Sequence, residues 1–223
     1  MDTNDPAYRG QADYSPVFLR IYDRLVLGLF ARFVWRLPVA EDIRFYRQHI
    51  RPNHLDIGPG TGYFLERASL ADGSPVTILD PNPNVLRHVE RRLSRLNVTA
   101  IQADVLKPLP ISGPFDSAAI NNVIHCLPGP MERKAAAVEN IARVLAPNGV
   151  LFGMTILGPS GTHTRLGRAF LRALNRRGTF GNLDDTEAGL RDILERSFGE
   201  VHVETTGPNA VFVAKYPTPA FGR

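Results

Sequence analysis

Leu55-Asp56-Ile57 is a short apolar run interrupted by one carboxylate, and it breaks at once into Gly58-Pro59-Gly60-Thr61-Gly62 before a helical pattern opens at Tyr63. Three alternate glycines at the exit of a strand narrow what the chain can build there. Glycine is required where the backbone takes positive φ, or where a bulky group approaches a position that a Cβ would fill. The helix that follows adds free N–H groups. The pattern is that of a nucleotide-cofactor loop at a strand-to-helix turn. A dinucleotide fingerprint needs its third glycine three residues after the second, to pack helix on strand beside a pyrophosphate. Tyr63 occupies that position, so a nicotinamide oxidoreductase ranks last among the readings.

Further landmarks follow in order. Thr77-Ile78-Leu79-Asp80 is an apolar run ending in a carboxylate, 22 residues after Gly58. That is close to the spacing of about 20 at which an acid ending the second strand bonds ribose hydroxyls, which makes Asp80 the expected ribose ligand. Thr99 to Val105 carries a third acid, Asp104; Phe115 to His125 reads as a strand and the turn beyond it; and Val144 to Leu151 contains Leu145-Ala146-Pro147-Asn148-Gly149. In this order, with Gly58-x-Gly60-x-Gly62 as the first motif, the landmarks resemble the class I S-adenosylmethionine (SAM) dependent methyltransferases. The resemblance covers roughly 51–156. It departs from the family at Asn148, where glycine is usual; Asn tolerates the left-handed conformation, so the turn is expected to survive. Tyr14-Ser15-Pro16, Tyr22-Asp23 and Trp35-Arg36-Leu37-Pro38 further resemble a group of small bacterial methyltransferases of the YbcY type.

The resemblance implies SAM as cofactor. It places Asp56, Gly58, Pro59, Gly60, Gly62, Asp80, Pro81, Asp104, Val105 and Asn121 around it, Asp104 meeting the adenine amino group. Tyr14 and Tyr22 line the cleft from the N-terminal segment, either touching cofactor or serving as core aromatics. A general base is needed only if the nucleophile must lose a proton. His125, directly after the fourth strand, is the first candidate, with a structural role as its alternative; His163, in the loop after the fifth strand, is the second. Cys126, the only cysteine, reads as a small buried filler and excludes an internal disulfide. No metal-ligand spacing is present. The turn after the fourth strand, Asn121-Asn122-Val123-Ile124, lacks the Pro-Pro-aromatic sequence of base-modifying enzymes, which favours a small organic acceptor, in specialised metabolism, over nucleic acid. The alternative is a SAM-binding protein of the same fold that catalyses a cyclisation or isomerisation without methyl transfer.

The formal charge of +4 is carried by 23 arginines against three lysines. Arg165, Arg168, Arg172 and Arg176 would share one helical face, either solvated or anion-binding. The anion reading leaves room for an acidic substrate, a carrier-protein-bound substrate or, in a third reading, a nucleic acid. A homodimer stays open. Met1 to Gln11 shows no signal-peptide order, and the apolar stretch from Leu25 to Trp35 is too short to span a bilayer, so a cytoplasmic protein without membrane contact is expected.

Ser15-Pro16 followed by Phe18, Ile21, Tyr22, Leu25, Leu29 and Phe33 at helical spacing predicts an amphipathic helix, and Glu41 to His49 a second. Strands are predicted near 53–57, 75–80, 98–102, 115–121 and 149–156, with helices near 62–71, 83–95, 130–145, 165–177 and 185–197. Val201–Thr205 and Ala210–Tyr216 form a closing hairpin. The expected architecture is a Rossmann-like, doubly wound α/β fold with a seven-stranded sheet. The sheet is mostly parallel and ends in an antiparallel hairpin strand. Residues 1–50 form a helical lid over a single SAM-binding domain at 51–223.

Overall fold

Alternating apolar stretches and capped helices give the chain its order of elements. Helices start where a short polar side chain can take up a free backbone N–H. Asn82 accepts from Asn84 N ahead of Pro83, Thr164 accepts from Gly167 N, and Thr186 from Gly189 N; each such cap stabilises by about 1 kcal/mol. In the computed structural model, which describes residues 39–158 and 163–218, the helices are α1 (Val39–His49), α2 (Tyr63–Arg67), α3 (Pro83–Arg92), α4 (Met131–Ala142), α5 (Arg165–Arg176) and α6 (Glu187–Glu195), with a 3-10 turn at Ile124–Cys126. The strands are β1 (His54–Ile57), β2 (Pro75–Leu79), β3 (Asn97–Ile101), β4 (Phe115–Ala119), β5 (Leu145–Ile156), β6 (Phe198–Thr206) and β7 (Asn209–Pro217). Tyr14, Tyr22 and the helix expected from Phe18 to Phe33 lie outside the described residues.

The seven strands form one sheet in the order β3-β2-β1-β4-β5-β7-β6. Pairing is parallel from β3 through β5 and antiparallel on both sides of β7. The expected fold is therefore the observed one. Both faces of the central strands are covered. Leu55 and Ile57 of β1, with Ala118 and Ile120, pack against α4 and α6 on one side. On the other, Ile78, Ala119, Val150 and Phe152 pack with Tyr46 of α1, Leu65 of α2 and Val85 and Val89 of α3. Full burial on both faces is what a parallel sheet demands.

Two local expectations are corrected. The helix read over 62–71 stops at Arg67, because Ala68 turns to extended backbone and the Arg95 guanidinium holds the carbonyls of Ala68 and Leu70. Asn148 is not left-handed: it lies inside β5, which starts at Leu145, and Asn122 beyond β4 is the asparagine with positive φ.

α4 is fastened to the segment before α6 by a buried ion pair. Lys134 Nζ stands 2.8 and 2.6 Å from the two carboxylate oxygens of Asp185 and 2.9 Å from Gly181 O, with both side chains essentially unexposed. Removing one partner strands a buried charge. Lys134→Met is therefore expected to destabilise by about 3–5 kcal/mol in urea unfolding, while Lys134→Met with Asp185→Leu recovers most of that loss. Equal losses in the single and double variants would show that the pair's charge is not what matters.

Candidate cofactor and active site

The strand order reverses between β1 and β4, and open α/β sheets bind ligands at the carboxyl edge of such a reversal. A cleft opens there. It is lined by Gly58 and Gly60 after β1, Leu79, Asp80 and Pro81 after β2, Asp104 and Val105 after β3, and Asn122 and Val123 after β4. The pairing of β1 with β4 brings together loops more than sixty residues apart in sequence. A Cβ on Gly58, at φ 63°, would stand 2.4 Å from Val123 Cγ2, so only glycine lets the two loops meet. Gly60, at φ 57°, is different: a Cβ there would meet no protein atom within 4 Å and would project into open space.

The acids are held by their own turns. Asp80 Oδ1 accepts Asn82 N–H at 2.7 Å and Asp104 Oδ1 accepts Leu106 N–H at 3.0 Å, and no described residue bonds their second oxygens. Burial pushes the Asp80 carboxyl up to about 7, against the backbone bond from Asn82 that favours its charge. Asp56 is also raised to about 7, first by burial and then by the charge of Asp80, while a hydrogen bond from Tyr46 opposes the rise. Asp56, Pro59, Gly62 and Asn121 are not part of the lining. Asn121 is nonetheless informative, because both polar atoms of its carboxamide are buried and find no hydrogen-bond partner among the described residues. A buried polar group left unsatisfied in a native fold points to a ligand or a function.

This chemistry fits SAM: carboxylates for ribose hydroxyls, an adenine amino group and a cation, with a glycine opening for close approach.

The structure does not support His125 as a base. It lies in the 3-10 turn, 3% exposed, and its ring packs on Phe180 at 4.4 Å between centroids. Nδ1 accepts the backbone N–H of Ile156 at 3.2 Å, which leaves the proton of the neutral ring on Nε2, a donor. Burial, followed by the charge of Lys134, lowers its pKa to about 3. His125 ties the turn to β5 through Ile156 and Thr155. His163 is buried, and its Nε2–H donates to the carbonyls of Leu157 and Gly158 at 3.1 and 2.9 Å, shaping the loop that enters α5. Cys126, expected as a buried filler, is half-buried and stands in the lining of the cleft, and desolvation pushes its thiol up to about 12. The α5 arginines 165, 172 and 176 are exposed, and among the described residues none of them pairs with a carboxylate.

Sequence reasoning missed Tyr46, His54 and Ser117, which with Asp56 form a buried polar cluster on the α1 face of the sheet. The alternation His54-x-Asp56 did signal two polar groups on one buried face of β1.

The cleft and loops define a Rossmann-like methyltransferase, and comparison with known proteins agrees. Residues 55–151 match the family model of the methyltransferase domain. The chain is 38% identical to demethylluteothin O-methyltransferase of Streptomyces thioluteus over 89% of its own length and 87% of that protein. It is 33% identical to YbcY of Escherichia coli (strain K12) over 84% of its length and 98% of the other. The crystal structure of N-methyltransferase NodS from Bradyrhizobium japonicum WM9 with S-adenosyl-L-homocysteine superposes with a TM-score of 0.57 at 18% identity, covering 83% of this chain and 91% of that one. The chain belongs to the class I SAM-dependent methyltransferases. It is an enzyme with SAM as its cofactor and methyl transfer as its reaction. Among the described residues no helix is long and apolar enough to cross a membrane.

Two outcomes are expected in calorimetric titration. Gly60→Ala should leave the fold intact at a cost of about 1 kcal/mol for positive φ, yet weaken SAM at least tenfold, because the new methyl enters the cleft. Unchanged affinity would mean that the cofactor does not pass Gly60. SAM affinity should also rise with pH through about 7, since the cation and the ribose hydroxyls favour ionised carboxylates. Asp80→Asn should flatten that rise and cost about 1–3 kcal/mol at high pH. The sign for the unliganded chain is opposite: a raised carboxyl holds a proton that the unfolded chain releases, so its contribution to stability is lost as pH climbs through about 7.

Proposed function

We propose that the enzyme methylates a hydroxyl oxygen of a small organic acceptor of specialised metabolism. The observation that carries this reading is the similarity, along most of both chains, to a protein named demethylluteothin O-methyltransferase. In this reading Gly58, Pro59, Gly60 and Gly62 admit the cofactor, Asp80 and Pro81 hold its ribose, and Asp104 and Val105 its adenine. Asp56 and Asn121 attend its methionyl end. The lid role expected of residues 1–50 is left in this reading to the segment ahead of α1, with Tyr14 and Tyr22 as candidates to line the acceptor site.

Bound SAM supplies an electrophilic methyl on a positively charged sulfur. The chain's part is to hold an acceptor oxygen in line with it and keep water out; alignment alone lowers a barrier by roughly 7–11 kcal/mol. With the unprotonated Nδ1 of His125 engaged by a backbone amide, the reading favours an acceptor hydroxyl acidic enough to ionise in water, a phenol or an enol. The reading in which SAM is bound but not consumed has no observation in its favour.

The test is transfer of labelled methyl from SAM to a panel of phenols, enols, alcohols and amines, with products read by mass spectrometry. Label on the oxygen of phenols or enols, together with wild-type-like turnover per folded protein in His125→Gln, is expected. Label confined to nitrogen or carbon would overturn the assignment to oxygen.

A further inference from the structure

A chain of buried hydrogen bonds runs across the sheet beneath α1 and ends at the cofactor loop. Arg51 N–H donates to Ser117 Oγ at 2.9 Å, Ser117 Oγ lies 2.8 Å from His54 Nδ1, His54 Nε2 lies 3.0 Å from Tyr46 Oη, and the Tyr46 hydroxyl donates to Asp56 Oδ2 at 2.8 Å. The hydrogens fit one arrangement. With Tyr46 donating to Asp56, its oxygen is free to accept the Nε2–H of His54. His54 Nδ1 is then unprotonated and accepts the hydroxyl of Ser117, whose own oxygen takes the amide of Arg51. Every donor points the same way, toward Asp56. While Asp56 is ionised it can only accept, which fixes this order from the Tyr46 end, and His54 is fully buried, which lowers its pKa to about 3 and keeps it neutral.

The link in the middle is rigid. Tyr46 is fully buried, stacked on Phe64 of α2 at 5.7 Å between centroids and edge-on to Phe152 of β5 at 5.2 Å. Phe64 is the second residue of the helix that leaves the glycine loop, so the same ring touches that helix and bonds the acid two residues before Gly58. Asp56 takes this one bond from a described residue, and Oδ1 takes none. Its charged and titratable neighbours are Tyr46 from α1, His54 from β1 and Asp80 at the end of β2.

We propose that Tyr46 is a positioning residue for the cofactor. The hydrogen-bond chain Ser117–His54–Tyr46 orients the Asp56 carboxylate and favours its charged form, ready for the cationic methionyl end of SAM. The chain also ties α1, the helix that follows residues 1–38, to the loop that receives the cofactor. The inference rests on the reading that Asp56 attends the cofactor.

The experiment is titration of the full chain with SAM and with its demethylated product between about pH 6 and pH 9, on Tyr46→Phe, Asp56→Asn and the double variant. Loss of a hydrogen bond to a charged acceptor should raise the pH at which SAM affinity develops by about one unit, leaving affinity roughly tenfold weaker near neutrality and nearly restored at the alkaline end. In the Asp56→Asn background, Tyr46→Phe should change nothing further; Asp80 titrates alike in both members of that pair. Because the cavity left by a missing hydroxyl could itself disturb folding, 3-fluorotyrosine at position 46 provides a second arm. A more acidic donor should move the same limb to lower pH, a reversal that a merely structural role would not produce. If Asp56→Asn binds SAM as the wild type does, the placement of Asp56 fails. If Asp56→Asn weakens binding while both Tyr46 changes leave the pH profile where it was, the positioning role is overturned and the placement of Asp56 stands.

Discussion

The contact on which the site depends is the one between Gly58 and Val123. β1 is the strand from which the chain winds in both directions, pairing with β2 on one side and β4 on the other. At that reversal the loops after the two strands leave the sheet on divergent paths, which is why a crevice forms. Bringing the loops back into contact at the floor of the crevice requires a residue without a side chain, because a methyl at Gly58 would overlap Val123 by more than an ångström. Once they touch, the carboxyl ends of β2 and β3 deliver Asp80 and Asp104 along the same edge with no further long-range adjustment.

This explains which parts of the molecule could be read from sequence. Short apolar runs ending in acids declare both a strand and the end of it that faces the cleft, so the places of Asp80 and Asp104 along the cleft were legible from a few residues each. Cap residues such as Asn82 and Thr186 are equally local. The shortening of the helix after Gly62 was not legible, because it depends on Arg95 reaching back across 25 residues to Leu70 O. Asn148 was expected to keep a left-handed turn because asparagine tolerates it, but a residue's tolerance does not say where the chain must bend; the chain passes Asn148 as part of β5 without positive φ. His125 shows the same limit. Standing close after a strand in sequence places a residue near the carboxyl edge without saying on which face of the sheet it lies. The 3-10 turn carries it to the side of Thr155 and Phe180.

Tyr46 illustrates the other limit. Within its helix it is one aromatic on a buried stripe with Phe45 and His49, and nothing local separates a core tyrosine from one that touches chemistry. Its meaning comes from His54 and Asp56, eight and ten residues away, facing the same side of β1 after the chain has turned. The period of a strand could announce that two polar groups share a buried face. It could not announce which helix would satisfy them.

Burying two carboxyl groups at one end of a sheet works against the unliganded fold, since desolvation disfavours their charged forms. The chain offsets part of that cost with fixed donors, Asn82 N–H at Asp80 and the Tyr46 hydroxyl at Asp56, and leaves the rest to the ligand. Such a site is matched to a cofactor whose charge changes during the reaction. In the reading proposed above, the cationic sulfur of SAM would favour both ionised carboxylates, and the neutral thioether left after transfer would not. Carboxyls poised near neutrality would then lose part of their reason to stay charged, so electrostatics that select the substrate form of the cofactor would weaken the hold on its product. A site built from freely solvated acids, charged at every stage, would discriminate less, because water would screen the difference.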